Sequence, residues 1–97
     1  MTDVVGPGTL KLVSGWSPSR SVDHVLEEIL TAHAGANDVR RLHHSSFVVY
    51  SELGPFGVRN WFVNEFSDDE SLLVVEFETW SSLGPCIDRT WLLRRGH

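Results

Sequence analysis

Two kinds of residue are nearly missing from this chain. Cysteine occurs once, as Cys86, and lysine once, as Lys11. A lone thiol excludes an internal disulfide and fits a reducing compartment, so a cytoplasmic location is the expectation. Thirteen Asp and Glu residues face eight Lys and Arg, for a formal net charge of −5. Phosphate affinity comes mainly from basic side chains, so this balance argues against nucleic acid as a partner. No apolar run is long enough to cross a bilayer, and MTDVVGPGTLKLVSGW lacks the basic start and unbroken apolar stretch of a secretory signal. A membrane partner is not expected.

The motifs of common chemistries are missing too. There is no Gly-rich phosphate loop, Ser-x-x-Lys or nucleophile elbow, and no Cys-x-x-Cys or His-Glu-x-x-His spacing. Of the five histidines, His43 and His44 are adjacent, and in a strand they would point to opposite faces. Neither a metal site nor a cofactor is expected. Cys86 follows a Gly-Pro pair with Asp88 nearby, and His43 or His44 could reach it only through the fold, so it reads as an inert turn thiol rather than a nucleophile. No catalytic set emerges, and a non-enzymatic role is favoured over an enzymatic one.

What is present reads as one α+β domain over residues 1–97. In SVDHVLEEILTAHAG, positions Val22, Val25, Leu26, Ile29, Leu30 and His33 fall on one stripe of a helix. Ser21 is placed to cap its first turn and Gly35 to stop it. GTLKLVSGW before this helix reads as a strand, and so do HSSFVVYS, VRNWFVNEF, LLVVEFETW and DRTWLLRR after it, all rich in Val, Phe, Trp and Leu. The expected chain order is β-α-β-β-β-β, an antiparallel meander with the helix across one face. That order of elements is similar to the cystatin-like arrangement, a curved sheet around a helix. The protease-binding Gln-x-Val-x-Gly and Pro-Trp segments of cystatins have no counterpart in SELGPFG and SLGPCID, so the resemblance extends to topology and implies no inhibition of proteases.

FVVYSELGPFGVRNWFV and FETWSSLGPCIDRTWLL repeat one pattern, and VGPGTLKLV carries a fainter third copy. The pattern reads as turn chemistry opening a strand: an apolar residue, Gly-Pro, three residues, a basic residue, then apolar residues. In strands, Arg59 and Trp61 would share a face, as would Arg89 and Trp91, with Glu76 and Glu78 between them as ion partners. Apolar residues on both sides of the strands leave one face without a covering helix, and such patches mark interfaces or ligand sites. These six residues are therefore the candidate partner-binding set of a small protein-binding module of inhibitor, immunity or adaptor type, its partner a second copy of the chain or another protein. The competing reading is a small-molecule binder or small enzyme with a pocket between helix and sheet, lined by His33, Tyr50, Asn60 and Asn64. A second basic cluster, Arg40-Arg41 with Arg94-Arg95 near Trp91, has the ingredients of a stacking groove, but the acidic total argues against single-stranded nucleic acid there.

Overall fold

A computed structural model describes residues 8–95 of the chain. Strand β1 (Thr9–Trp16) leads through SPSRS to helix α1 (Asp23–Ala34). A single 3-10 turn (Ala36–Asp38) then leads into strand β2 (Val39–His43), which returns as strand β3 (Ser46–Ser51). Helix α2 (Pro55–Asn60), strand β4 (Ser71–Phe77) and helix α3 (Arg89–Arg94) complete the chain. The expected class holds: an α+β fold in which the N-terminal-half helix lies on an antiparallel sheet.

The stripe of α1 is the one its sequence spacing predicts. Val22, Leu26 and Leu30 are buried, Val25 and Ile29 are half-buried, and Glu27 and Glu28 face solvent. The start differs from expectation. Val22 occupies the N-cap position without a side-chain cap, because the Ser21 hydroxyl instead donates to the Asp23 carboxylate. The stop is Gly35, whose φ of 93° few other residues tolerate, and its N–H donates to the Thr31 carbonyl.

Two segments expected as strands are helical. VRNWFVNEF contains the end of α2 and a run of hydrogen-bonded turns through Phe66, while DRTWLLRR is α3. The physical reason lies in which residues find the core. Val58, Phe62 and Phe66 follow one another at helical spacing, and Trp61 joins them on the same packed cluster. Asp88 accepts a hydrogen bond from the Trp91 backbone N–H at 3.1 Å, a helix N-cap in the place where a strand was expected to begin. Both Leu-Gly-Pro copies therefore lead into short helices rather than strands. They do so with different backbones: Gly54 is extended at φ −77° with Pro55 in the first helical turn, whereas Gly84 is at φ 103° in a turn before α3. For the third copy, Gly6 and Pro7 lie outside the described residues, and Gly8 does lead into β1.

The sheet order is β2-β3-β1-β4, with every neighbouring pair antiparallel. Only β2 and β3 form the consecutive hairpin of a meander. β1 is inserted between β3 and β4, so β1 and β2 run parallel around β3, and β3 and β4 run parallel around β1. This double split β-α-β arrangement is the ferredoxin-like order and replaces the cystatin-like meander. It also makes β1 a central strand, bonded to β3 on one side and to β4 on the other.

The register settles which side chains share a face. Lys11, Val13, Phe47, Val49, Leu72 and Val74 point toward α1 and α2. Gly15 is on this face too, and a Cβ there would come within 3.3 Å of Val22, Leu26 and Phe66, so its lack of a side chain permits the close approach of α1. Leu10, Leu12, Val48, Tyr50, Val75 and Phe77 point the other way, where Trp91 and Leu92 of α3 pack with Trp80 and Ile87. The second apolar face inferred from sequence is real, and part of it is covered by the chain's own C-terminal segment. Trp80 belongs with this second face, beside Phe77.

Candidate functional site

The six residues expected to form one partner-binding face are distributed over both sides of the sheet. Trp61 is half-buried against the cluster under α1 and α2, stacked on His33 with ring centroids 4.7 Å apart. Trp91 is 4% exposed and belongs to the opposite cluster. Arg59 is exposed, over the Phe56 ring at 4.7 Å and donating to Asn60 at 2.8 Å. Arg89 is exposed at the start of α3. Glu76, also exposed, accepts from the Thr9 hydroxyl at 3.0 Å, and Glu78 is exposed just beyond β4. Arg–Glu–Arg rungs require Arg59 and Arg89 in strands flanking β4, and both stand in helices.

The competing pocket set is half assembled. His33 and Tyr50 line one shallow cavity of about 340 Å³ with Trp61, Asp38 and Glu52. It lies at the C-terminal end of α1, because the space beneath the helix is filled by Val13, Leu26, Leu30, Phe47 and Phe62. Asn60 and Asn64 do not line it and are exposed on α2 and the turn that follows.

Residues from far apart in sequence do converge at Trp91. Its indole N–H donates to the Asn37 carbonyl at 2.7 Å, and the guanidinium groups of Arg40 and Arg95 lie over the ring at 5.3 and 4.9 Å. Each of these arginines has an acidic partner, Asp88 for Arg40 at 3.3 Å and Asp38 for Arg95 at 2.9 Å. The ion pairs and the ring burial join α3 to the 3-10 turn and β2. The Trp91 ring is buried, so the cluster ties these elements together, and Arg40, Asp88, Trp91, Arg94 and Arg95 line a cavity of about 290 Å³ beside it.

Two features escaped the sequence reading. The first is Lys11, 0% exposed on the face toward α1 and α2. Its ammonium donates to the Thr9 carbonyl and hydroxyl at 2.8 Å each and to the Ser51 carbonyl at 2.7 Å. Burial pushes its pKa below the ordinary lysine value, opposed by the Glu76 charge. With three acceptors at normal distances, all the ammonium protons are engaged in holding β1 to the end of β3. The available signal was parity: Lys11 alternates with Val13 and Gly15, the inward positions of β1.

The second is the outer half of the uncovered face. α3 is only six residues long, and beyond its reach Leu73, Val75 and Trp16 remain 59%, 41% and 61% exposed. These three share the second face with Leu12, and among the described residues β4 is an edge strand bonded only to β1. Between them and α3 lies an open groove of about 340 Å³, floored by Leu12, Val48 and Phe77 and walled by Leu42, Val75 and Leu92. The segment from Thr79 to Ile87 closes one side, and none of the lining residues is charged.

Among the described residues no helix is long and apolar enough to cross a membrane. In comparisons with protein-family models, curated proteins and solved structures, nothing matches this chain.

Proposed function

We propose that this chain is a small protein-binding module that acts by occupying a surface, and that its first partner is a second copy of itself, joined along β4. The observation that carries this reading is the edge strand SLLVVEF, whose outer backbone groups have no strand partner among the described residues and whose second-face side chains Leu73 and Val75 stand exposed beside Trp16. An exposed apolar edge is a template for strand addition unless something blunts it. The usual devices are absent along most of β4: it has no proline and no lysine, and its one charge, Glu76, is near its end.

Two-fold antiparallel pairing centred on Val74 suits this strand. Leu73 then faces the partner's Val75, and Glu76 faces the partner's Leu72, so the two like charges are kept apart. The four-stranded sheet becomes a continuous eight-stranded one with an unbroken apolar strip on its second face. The lone cysteine agrees with a cytoplasmic setting for such a module.

Light scattering across a wide concentration range tests the proposal. Wild-type chain is expected at twice the monomer mass. Leu73→Lys, at an exposed position, is expected to run as a monomer with an unchanged far-UV circular dichroism spectrum. A wild-type monomer at high concentration would end the self-association reading.

A further inference from the structure

We infer that the cavity beside Trp91 binds a small molecule through a doubly negative oxyanion group, the chemistry of a phosphate monoester. Its lining comes from the 3-10 turn, β2, and α3 with its flanking residues. β2 is the edge of the sheet away from β4, so binding there does not depend on self-association.

Three arginines line this one cavity of about 290 Å³: Arg40 from β2, and Arg94 and Arg95 from the C-terminal end of α3. Trp91 brings two of them together, since the Arg40 and Arg95 guanidinium groups lie over its ring, 5.3 and 4.9 Å from the centroid. All three are open to solvent. The side chains of Arg40 and Arg95 are 37% and 20% exposed, and Arg94 is exposed. Among the described residues Asp88 is the one carboxylate in the lining, and Asp38, which holds Arg95, stands outside it. The wall therefore carries a surplus of positive charge on a chain whose formal total is −5.

The arginines also keep donors that the fold does not use. Arg40 directs Nε to Asp88 at 3.3 Å and Nη1 to the Ala36 and Val39 carbonyls, while Arg95 directs Nε and Nη2 to Asp38 and Asn37. Among the described residues, Nη2 of Arg40, Nη1 of Arg95 and the Arg94 guanidinium have no hydrogen-bond partner. Exposed ion pairs such as Arg40–Asp88 are weak, and Asp88 caps α3 through its other oxygen. A ligand can thus take Arg40 without undoing the helix start. Guanidinium groups donate and never accept, so the ligand group that suits them is an acceptor, and at this charge an anion. A carboxylate offers two oxygens. A phosphate monoester offers three, with a charge of about −1.5 to −2 at neutral pH, and so matches three arginines better. Thr90 and Asn37 give the rest of the lining a polar character for the body of the ligand. A polynucleotide needs a long run of basic contacts, which the acidic total disfavours, whereas a single phosphate needs only this local cluster.

Titration of the ¹⁵N-labelled full chain at constant ionic strength tests the site with glycerol 2-phosphate, glycerol and malonate. Glycerol 2-phosphate is expected to move the backbone amide resonances of Thr90, Arg94 and Arg95 to saturation. Glycerol, which lacks the anion, is expected to leave them in place, and the dicarboxylate malonate to bind more weakly than the phosphate ester. Arg94→Gln, at an exposed position, is expected to weaken the phosphate ester about 10-fold, the loss of one charge-assisted hydrogen bond. Arg94→Lys, which keeps the charge and loses the fork, is expected to weaken it less. Absence of a saturating shift with glycerol 2-phosphate, or malonate binding as tightly, would overturn the assignment on the wild-type chain alone. Undiminished affinity in Arg94→Gln would overturn it too, as would a thymidine oligonucleotide that binds more tightly than the monoester.

Discussion

Lys11 shows how a single side chain can be both costly and necessary. An ammonium with no solvent exposure carries a desolvation penalty, seen in its lowered pKa, and here three oxygen acceptors offset it. Replacing it with methionine keeps most of the volume but strips the donor from the Thr9 and Ser51 oxygens. Lys11→Met is expected to lower the unfolding free energy by about 1–3 kcal/mol, the cost of leaving buried acceptors unsatisfied, measured as a lower urea midpoint at constant slope. A more stable variant would mean that the desolvation penalty outweighs the hydrogen bonds. That Lys11 faces inward was readable from its alternation with Val13. Its acceptors were not, because Ser51 is brought alongside only by the pairing of β1 with β3.

Short elements are where the sequence misled. Trp61, Phe62, Trp91 and Leu92 have strand-like composition, yet each sits in or directly after a six-residue helix. Composition of this kind measures fit to a half-buried surface more than a backbone preference. The helical signals were present but faint: Val58, Phe62 and Phe66 at four-residue spacing, Pro55 at a helix start, and Asp88 three residues before Trp91. α3 depends on two anchors of unequal strength. Asp88→Ala removes the cap and the partner of Arg40, and is expected to cost about 1 kcal/mol. Trp91→Ala empties a buried site and is expected to cost about 3–5 kcal/mol. Chemical denaturation of the two variants checks the ranking, and comparable losses would show that cap and ring hold α3 in place equally.

On the scale of the whole molecule, an ion pair joins loops from the two halves of the chain. Arg20, in the β1–α1 loop, holds Glu70 with Nε at 2.6 Å and Nη2 at 2.9 Å, and the Ser67 backbone N–H also donates to that carboxylate at 2.9 Å. The Arg20 hydrogen bond first, and then that of Ser67, hold the Glu70 pKa down to about 2. A carboxyl whose folded pKa lies below its unfolded value stabilises the fold above the unfolded value, and this contribution is lost as pH falls toward the folded one. Stability should therefore decline between roughly pH 4.5 and 2. Glu70→Gln is expected to flatten that part of the pH profile in urea titrations, and an unchanged acid slope would remove Glu70 as its cause. The turn SDDE is thus fastened by its last residue.

The sequence by itself determined the α+β class, helix α1 with its buried stripe, and a sheet with apolar residues on both faces. These follow from local periodicity, which survives without knowledge of distant partners. Tertiary structure alone decided that β1 lies between β3 and β4, and so which residues share a face. It separated Trp61 from Trp91, set Arg40 and Arg95 over one ring, and left Leu73 and Val75 bare beyond the reach of α3. The physical reason is that strand pairing and register are long-range choices. They depend on which buried surfaces fit together in space, and no window of neighbouring residues records that.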